Sequence, residues 1–184
     1  EQIIKAIGGV IELVAREKKS PRKPKLAFTE WNVRNLGDKE MSNEWRPTQT
    51  QYRLADALAV AGFLNAMRRQ CRIVGLDNFA QSVNVVGMLH VTPQHVIRET
   101  VYWALTMQRR HAAAMAVDAH CECEGYTVDY DGRTIPGVPY LDACAMADTE
   151  TGRLVLSFVN RHKTDELTVE VVLRDAAIQG TGTR

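Results

Sequence analysis

The chain has 184 residues, enough for one domain or for pieces of two, and its 45% hydrophobic and 24% charged residues are ordinary for a globular protein. Its 23 Lys and Arg balance 22 Asp and Glu, so no overall field recruits nucleic acid or an anionic membrane. An uncharged substrate fits this composition better than a charged one.

The four cysteines are too few and too unevenly spread to indicate a disulfide framework. No apolar stretch approaches the roughly 20 residues that cross a bilayer, and no basic-then-apolar leader opens the chain. These features predict reduced thiols in a cytoplasmic protein that is neither membrane-spanning nor exported. The chain opens without a start methionine, and we therefore expect a segment of a longer chain.

Helices and strands alternate in the first part of the chain. The predicted elements are a helix over residues 1 to 18, a strand over 25 to 30, a helix over 50 to 70, a strand over 72 to 79 and a helix over 96 to 111. Thr92-Pro93 resembles the start of the third helix, and residues 35 to 50 are polar and indicate a long loop. This order implies parallel strands with helical crossovers, as in a barrel or an open sheet.

Near residue 112 the pattern changes to period two with turn residues, and we expect a domain boundary there. The predicted strands cover residues 115 to 123, 126 to 130, 140 to 147, 154 to 160 and 167 to 173. Turns are expected at Asp131-Gly132, Pro136-Gly137 and Thr151-Gly152. This part predicts most of an antiparallel β-sandwich.

The first predicted strand ends at an acid, Glu30, which an indole and an amide, Trp31 and Asn32, follow directly. A buried strand whose last residue emerges into a cleft is where barrel enzymes carry their chemistry. A carboxylate beside an aromatic residue also suits sugar cleavage, because the carboxylate can attack an anomeric carbon while the indole packs against the ring. On its own, an acid at a strand end is more often a salt-bridge partner, so both interpretations stay open.

Three motifs in the same order carry a resemblance to a known family. They are Leu26-Ala27-Phe28-Thr29-Glu30-Trp31-Asn32-Val33, Asn78-Phe79-Ala80-Gln81-Ser82-Val83-Asn84-Val85 and Phe158-Val159-Asn160-Arg161-His162. Together they resemble the C-terminal half of the α-L-arabinofuranosidases of glycoside hydrolase family fifty-one. The resemblance implies an α/β plus all-β chain: the C-terminal part of a (β/α)₈ TIM barrel over residues 1 to 111, supplying strands seven and eight, and an incomplete antiparallel β-sandwich, a jelly roll, over 112 to 184.

By that resemblance, the parent protein is a retaining glycoside hydrolase that releases terminal α-L-arabinofuranosyl residues from arabinoxylan, arabinan or their oligosaccharides without a metal or other cofactor. Glu30 matches the family's nucleophile, and Gln81 matches a glutamine that hydrogen-bonds the sugar ring. Trp31 and Asn32 belong to the same motif as shaping residues of the substrate site. The family's acid/base is a Glu at the end of the fourth barrel strand, which would lie before residue 1, so the isolated chain is expected to be inactive.

The sequence departs from the family at two positions. Thr29 stands where the family often has Asp, and Arg34 stands where many members have an aromatic residue, which leaves the preferred polymer open. Asn43-Glu44 is the one Asn-Glu pair in the chain, but it follows no buried run and indicates a loop.

The resemblance implies as partners an arabinofuranosyl-containing oligo- or polysaccharide, the remaining N-terminal part of the barrel, and further copies in a homo-oligomer, with no nucleic acid and no membrane. Two alternatives stay open: another barrel-plus-sandwich glycosidase, a xylosidase or glucanase, and a non-catalytic sugar-binding or assembly module.

Other polar side chains have a structural interpretation beside a functional one. His120-Cys121-Glu122-Cys123 could ligate a metal, but two thiols on one face of a predicted strand favour core packing. His90 and His95 flank the loop after the second strand and could face the cleft. Asn84 is expected to satisfy backbone groups of its loop.

Overall fold

The computed structural model describes residues 1 to 33 and 51 to 174, and these residues form a fold that mixes helices with strands. The elements are, in chain order, α1 (Gln2–Glu17), β1 (Leu26–Trp31), α2 (Leu54–Arg69), β2 (Val74–Phe79), β3 (Leu89–Val91), β4 (Val96–Arg98), α3 (Thr100–Arg110), β5 (Met115–Val117), β6 (Gly125–Tyr130), β7 (Arg133–Pro139), β8 (Leu141–Asp148) and β9 (Arg153–Asn160). None of these described helices has the length and apolar composition to cross a membrane.

β1 and β2 lie side by side as a parallel pair, and α2 connects them. Parallel strands cannot be joined by a tight turn, so the chain must return to the start of the sheet through a crossover. The pairing runs from Leu26 opposite Val74 to Trp31 opposite Phe79. The order of helix, strand, helix and strand expected from the sequence is confirmed, and so is the parallel pairing.

The main hydrophobic core lies between this strand pair and the three helices. Ile4 of α1, Val60 of α2, Val101 of α3 and Trp31 of β1 are among its buried members, and Val60 and Val101 are 0% exposed. Full burial of one such aliphatic side chain stabilises a fold by roughly 1.5–3 kcal/mol. Because each element contributes at least one buried side chain, the position of β1 depends on all three helices.

The second half of the chain is antiparallel. β5, β8 and β9 form a three-stranded sheet with β8 in the centre, and β6 and β7 form a separate hairpin. β8 pairs with β9 over its whole length, from Leu141 opposite Asn160 to Asp148 opposite Arg153. Central position explains why β8 is the most continuously buried of the described strands.

A buried polar cluster joins α2 to this sheet. Asp142, only 7% exposed, accepts hydrogen bonds from Asn65 at 2.8 Å, from Arg69 at 3.0 Å and from Arg161 at 2.6 Å. Burial acts to lower the pKa of Arg69, but its hydrogen bonds to Asp142 and Glu1 outweigh burial and raise that pKa. A buried carboxylate is tolerated only with such compensation, so this cluster fixes how α2 sits on β8.

The prediction that a helix starts at Thr92-Pro93 was wrong. The Thr92 hydroxyl oxygen accepts hydrogen bonds from the backbone N–H groups of Gln94 at 3.4 Å and His95 at 3.0 Å, which closes the turn between β3 and β4. Helix α3 begins only at Thr100. Both helix starts and turns contain a threonine whose hydroxyl oxygen accepts hydrogen bonds from the N–H groups that follow it. The sequence alone therefore does not distinguish the two structures.

The structure differs from the predictions after residue 112 at the end of β5, at Pro136-Gly137 and at residues 167 to 173. β5 ends at Val117 instead of Cys123, and residues 118 to 124 form no strand. Pro136-Gly137, expected as a turn, lies inside β7, which pairs only with β6 among the described strands. Proline is tolerated on such an edge, and the positive φ of Gly137 accompanies a register shift between Tyr126 and Val128.

Residues 167 to 173 alternate in polarity but form no strand. Val171 and Val172 there are 44% and 71% exposed. Alternation predicts a strand only where a neighbouring strand completes the hydrogen bonds, and the described residues offer none at this position.

Candidate active site

The parallel pairing places the ends of β1 and β2 at one edge of the strand pair. Trp31 lies opposite Phe79, and the Ala80 N–H donates to the Trp31 carbonyl at 2.9 Å. Glu30 is the residue before Trp31 in β1, and Gln81 lies two residues after Phe79 of β2. The structure therefore brings to the same edge two residues that lie some fifty positions apart in the sequence, and this edge is where parallel sheets carry their sites.

An irregularity in β1 decides which way Glu30 points. Strict alternation would put Glu30 on the core side with Leu26 and Phe28, which both pack against the core. The register shifts between Phe28 and Trp31, so the side chain that returns to the core is Trp31, while Glu30 is exposed. The shift frees a carboxylate at the carboxyl end of the strand.

The side chains around Glu30 leave its carboxylate accessible. No hydrogen bond or ion pair joins it to another residue in the part of the chain that the structure describes. Its neighbour Thr29 is exposed as well, and the Thr29 carbonyl accepts from Asn78 Nδ2 at 3.3 Å. The carboxylate can therefore meet a ligand without first breaking a contact to any other described residue.

Trp31 lies in the core beneath this edge. Its ring stacks on Phe63 of α2 with centroids 5.7 Å apart and meets the ring of Phe79 edge to face at 5.3 Å. Its indole Nε1–H donates to Asp77 Oδ1 at 3.2 Å. Both the ring and the N–H group of Trp31 thus contact other side chains of the chain. These contacts fix the position of the end of β1.

Asn32 ties the end of β1 to the loop after β2. Its Nδ2 donates to the carbonyl of Ala80 at 2.6 Å and to that of Val86 at 2.9 Å. The hydroxyl of Tyr52, which is 7% exposed, lies 2.9 Å from Asn32 Oδ1 and 2.7 Å from the Val86 carbonyl. Sequence patterns gave no sign of Tyr52, because an isolated tyrosine ahead of a helix matches no motif.

Gln81 is exposed at the start of that loop. Its Nε2 donates to the carbonyls of Val83 at 3.1 Å and Asn84 at 3.0 Å, which leaves the amide oxygen available at the edge. Asn84 Oδ1 accepts from the Val91 N–H at 2.7 Å, so the expectation that Asn84 serves the backbone is confirmed. The side-chain amides of Gln81 and Asn84 therefore stabilise the loop from within, and Asn32 connects it to the end of β1.

The remaining candidates lie elsewhere or outside the described residues. His90 pairs with Ile97 inside the β3–β4 hairpin, and His95 is exposed in its turn. Cys121 and Cys123 are exposed and lie outside any strand, so the prediction that they pack in the core was wrong. Among the described residues, no three His, Cys, Asp or Glu side chains are grouped as metal ligands. Arg34 and Asn43-Glu44 lie outside the described residues.

Comparison with known proteins decides the family. Residues 29 to 183 match the sequence profile of the α-L-arabinofuranosidase C-terminal domain. The chain belongs to this family. It is 32% identical to a probable α-L-arabinofuranosidase C of Aspergillus terreus over 88% of its length and 24% identical to an intracellular exo-α-(1→5)-L-arabinofuranosidase of Halalkalibacterium halodurans over 95%.

A solved structure supports the same assignment. The family 51 α-L-arabinofuranosidase of Thermotoga petrophila is 26% identical to the chain and superimposes over 89% of it with a TM-score of 0.73. The resemblance to the C-terminal part of family 51 arabinofuranosidases is thus confirmed. The chain spans about a third of the length of these proteins, 32% and 35% of the two relatives and 34% of the solved structure.

Proposed function

We propose that the full-length protein is a retaining glycoside hydrolase that releases terminal α-L-arabinofuranosyl residues from arabinoxylan, arabinan or their oligosaccharides. The observation that carries the proposal is the accessible carboxylate of Glu30 at the carboxyl end of β1, beside the β2 end that bears Gln81. Membership of the arabinofuranosidase C-terminal domain family supports the substrate class.

In the proposed mechanism Glu30 attacks the anomeric carbon and forms a covalent glycosyl-enzyme. A second carboxyl group, about 5–5.5 Å away, first protonates the leaving oxygen and then activates the water that releases arabinose. That group would come from the part of the protein outside this chain. Gln81 would hydrogen-bond the sugar through its amide oxygen, while Trp31 and Asn32 hold the strand end and the loop in place.

We also propose the architecture that this mechanism needs. Residues 1 to 111 would complete a (β/α)₈ barrel with the N-terminal part of the protein, and residues 112 to 184 would form a jelly-roll sandwich. The exposed residues Ala27 and Leu76, which pair on the face of β1 and β2 turned away from the core, support this arrangement because a barrel interior would cover them. A cytoplasmic homo-oligomer is proposed by analogy, and the name of the Halalkalibacterium relative supports the intracellular part.

Substitution of Glu30 in the full-length protein tests the role of its carboxylate. Glu30→Gln keeps the shape of the side chain but removes the nucleophile, so turnover of a nitrophenyl α-L-arabinofuranoside should fall roughly a thousandfold or more. Glu17→Gln, at the exposed end of α1, is the matched control and should leave turnover unchanged. Undiminished activity of Glu30→Gln would overturn the assignment.

A rescue experiment separates a nucleophile from an acid/base. In Glu30→Gly, added azide can attack from the side that the carboxylate occupied, so it should restore turnover and give an arabinofuranosyl azide of β configuration. A product of α configuration would assign Glu30 to the acid/base role instead.

Two further assays address the alternatives. The isolated 184-residue chain should not hydrolyse the arabinofuranoside, because the second carboxyl group is supplied from outside it. In the full-length protein the arabinofuranoside should be preferred over the corresponding xyloside and glucoside, and a preference for either of those would favour another glycosidase.

A further inference from the structure

Two exposed thiols converge on a single backbone carbonyl, far along the chain from Glu30. Cys121 Sγ lies 3.9 Å and Cys123 Sγ 3.8 Å from the carbonyl oxygen of Leu141, and the Leu141 N–H donates to Cys123 Sγ at 3.4 Å. Leu141, the first residue of β8, thus contacts both sulfur atoms.

The backbone between the two cysteines permits a bond between their sulfurs. Residues two apart have Cα atoms at most about 7 Å apart, close to the upper end of the separations that disulfides span. Residues 118 to 124 form no strand, so small rotations there break no ladder of backbone hydrogen bonds. We propose that Cys121 and Cys123 are a reversible dithiol–disulfide pair that a hydroperoxide oxidises.

The reaction balances with the hydroperoxide as the only oxidant. One thiolate attacks the peroxide, which breaks the O–O bond, releases an alcohol or water and leaves a sulfenic acid. The other thiol then attacks that sulfur, expels water and forms the S–S bond. A dithiol reductant reverses the change by thiol–disulfide exchange. Because a ring with only one residue, Glu122, between its two cysteines is strained, the disulfide should be readily reduced.

The surroundings indicate which thiol has which role. The Leu141 N–H donates to Cys123 Sγ and so favours a thiolate there. Partial burial and the adjacent Cys123 thiol raise the pKa of Cys121, so Cys121 is the resolving thiol that attacks second. Oxidation also removes both S–H donors from the Leu141 carbonyl, next to the buried Asp142 of the polar cluster.

The other two cysteines serve as internal controls. Cys71 is exposed, and Cys144 is buried, with a pKa that burial raises. Among the described residues, neither thiol contacts the Leu141 carbonyl that Cys121 and Cys123 share. We therefore expect Cys71 to reach sulfinic acid under the same peroxide treatment and Cys144 to stay reduced.

Mass spectrometry of the full-length protein tests the pair. After mild hydrogen peroxide and alkylation of free thiols, the tryptic peptide that contains both cysteines should lose the mass of two hydrogen atoms and take up no alkylating reagent. Dithiothreitol should restore two alkylatable thiols. The Cys71→Ser variant should behave identically, whereas Cys121→Ser should give an oxygenated Cys123 in the peptide.

A second measurement does not depend on oxidation. Phenylarsine oxide bridges two neighbouring thiols with loss of water, so one equivalent should bind this peptide, and either Cys121→Ser or Cys123→Ser should abolish that binding. Independent oxygenation of Cys121 and Cys123 without loss of hydrogen, or a disulfide from either of them to Cys71, would overturn the proposal. So would failure of the peptide to bind the arsenical.

Discussion

The carboxylate of Asp142 lies buried where α2 packs on β8, and its charge is balanced by side chains from other elements. Asp142→Asn keeps the shape but removes the carboxylate that Arg69 and Arg161 share, each of them about a quarter exposed, and Arg69 keeps its ion pair with Glu1. Because both guanidinium groups retain contact with water, we expect a loss of about 2 kcal/mol in the free energy of unfolding, below the value for a fully buried pair.

Urea denaturation measures this loss directly, as a lower midpoint at an unchanged slope. Asp131→Asn is the matched control, because Asp131 is exposed in the turn between β6 and β7 with a φ of 50°, which asparagine adopts readily. Equal midpoints for Asp142→Asn and Asp131→Asn would show that the cluster does not hold α2 on the sheet.

At the residue scale the sequence identified the candidate nucleophile but not the reason that it is exposed. The motif from Leu26 to Val33 was sufficient to single out Glu30, yet simple alternation puts this residue on the core side of β1. The register shift between Phe28 and Trp31 depends on the pairing with β2, which one strand's sequence does not encode.

At the scale of elements, two adjacent glycines of α1 have opposite surroundings. A Cβ at Gly8 would lie 2.5 Å from Ile73 Cδ1 and 3.0 Å from its Cγ1, whereas a Cβ at Gly9 would meet nothing within 4 Å. Alanine is favoured over glycine inside a helix by roughly 0.8–1 kcal/mol. Gly9→Ala should therefore raise the thermal midpoint, and Gly8→Ala should lower it, because either the Ile73 side chain or α1 must shift to make room for the new Cβ.

A double substitution tests the cause. Ile73→Val removes the Cδ1 atom that a new Cβ at residue 8 would meet, so Gly8→Ala should cost less in the Ile73→Val background than in the wild type. Thermal denaturation of the four combinations gives the coupling. Purely additive effects would mean that the contact with Ile73 does not limit the approach of α1.

The loop after β2 is an element whose position depends on one amide. Asn32→Ala removes both hydrogen bonds to the carbonyls of Ala80 and Val86, so the loop that bears Gln81 is then held by the remaining bonds from Ala80 to Trp31 and from Tyr52 to Val86. In the full-length protein we expect kcat/KM on the arabinofuranoside to fall about 10- to 100-fold, since small misplacements near a reacting centre are costly. A lower thermal midpoint with unchanged kcat/KM would limit Asn32 to a structural role.

Element types were predictable where local periodicity and pairing agree, and less so where they conflict. α1, β1, α2 and β2 follow from apolar spacing because each packs one face against the same core. β7 could not be predicted in this way, because the residue types of Pro136-Gly137 indicate a turn. These two residues belong to a strand only because β7 lies at the edge of a sheet. Residues 167 to 173 show the reverse case, alternation with no neighbouring strand among the residues that the structure describes.

At the scale of the whole molecule, α1 has a second apolar face. Ile4, Gly8 and Ala15 point into the core, while Ile3, Val10 and Val14 on another side are 74%, 60% and 47% exposed. A helix that is apolar on two sides is usually buried on both. This pattern agrees with the proposal that the N-terminal part of the barrel packs against α1.

Val10→Glu in the full-length protein tests this packing. If the barrel covers Val10, a charge there must be buried, and the thermal midpoint should fall by several degrees, corresponding to about 2 kcal/mol. Gln2→Glu adds the same charge on the polar side of α1, in the first turn where an acid is favourable, and should leave the midpoint unchanged or slightly higher. In the isolated chain Val10 is already exposed, so Val10→Glu should have little effect there. Equal, small effects of Val10→Glu in both proteins would mean that this face of α1 stays in water and that the barrel closes elsewhere.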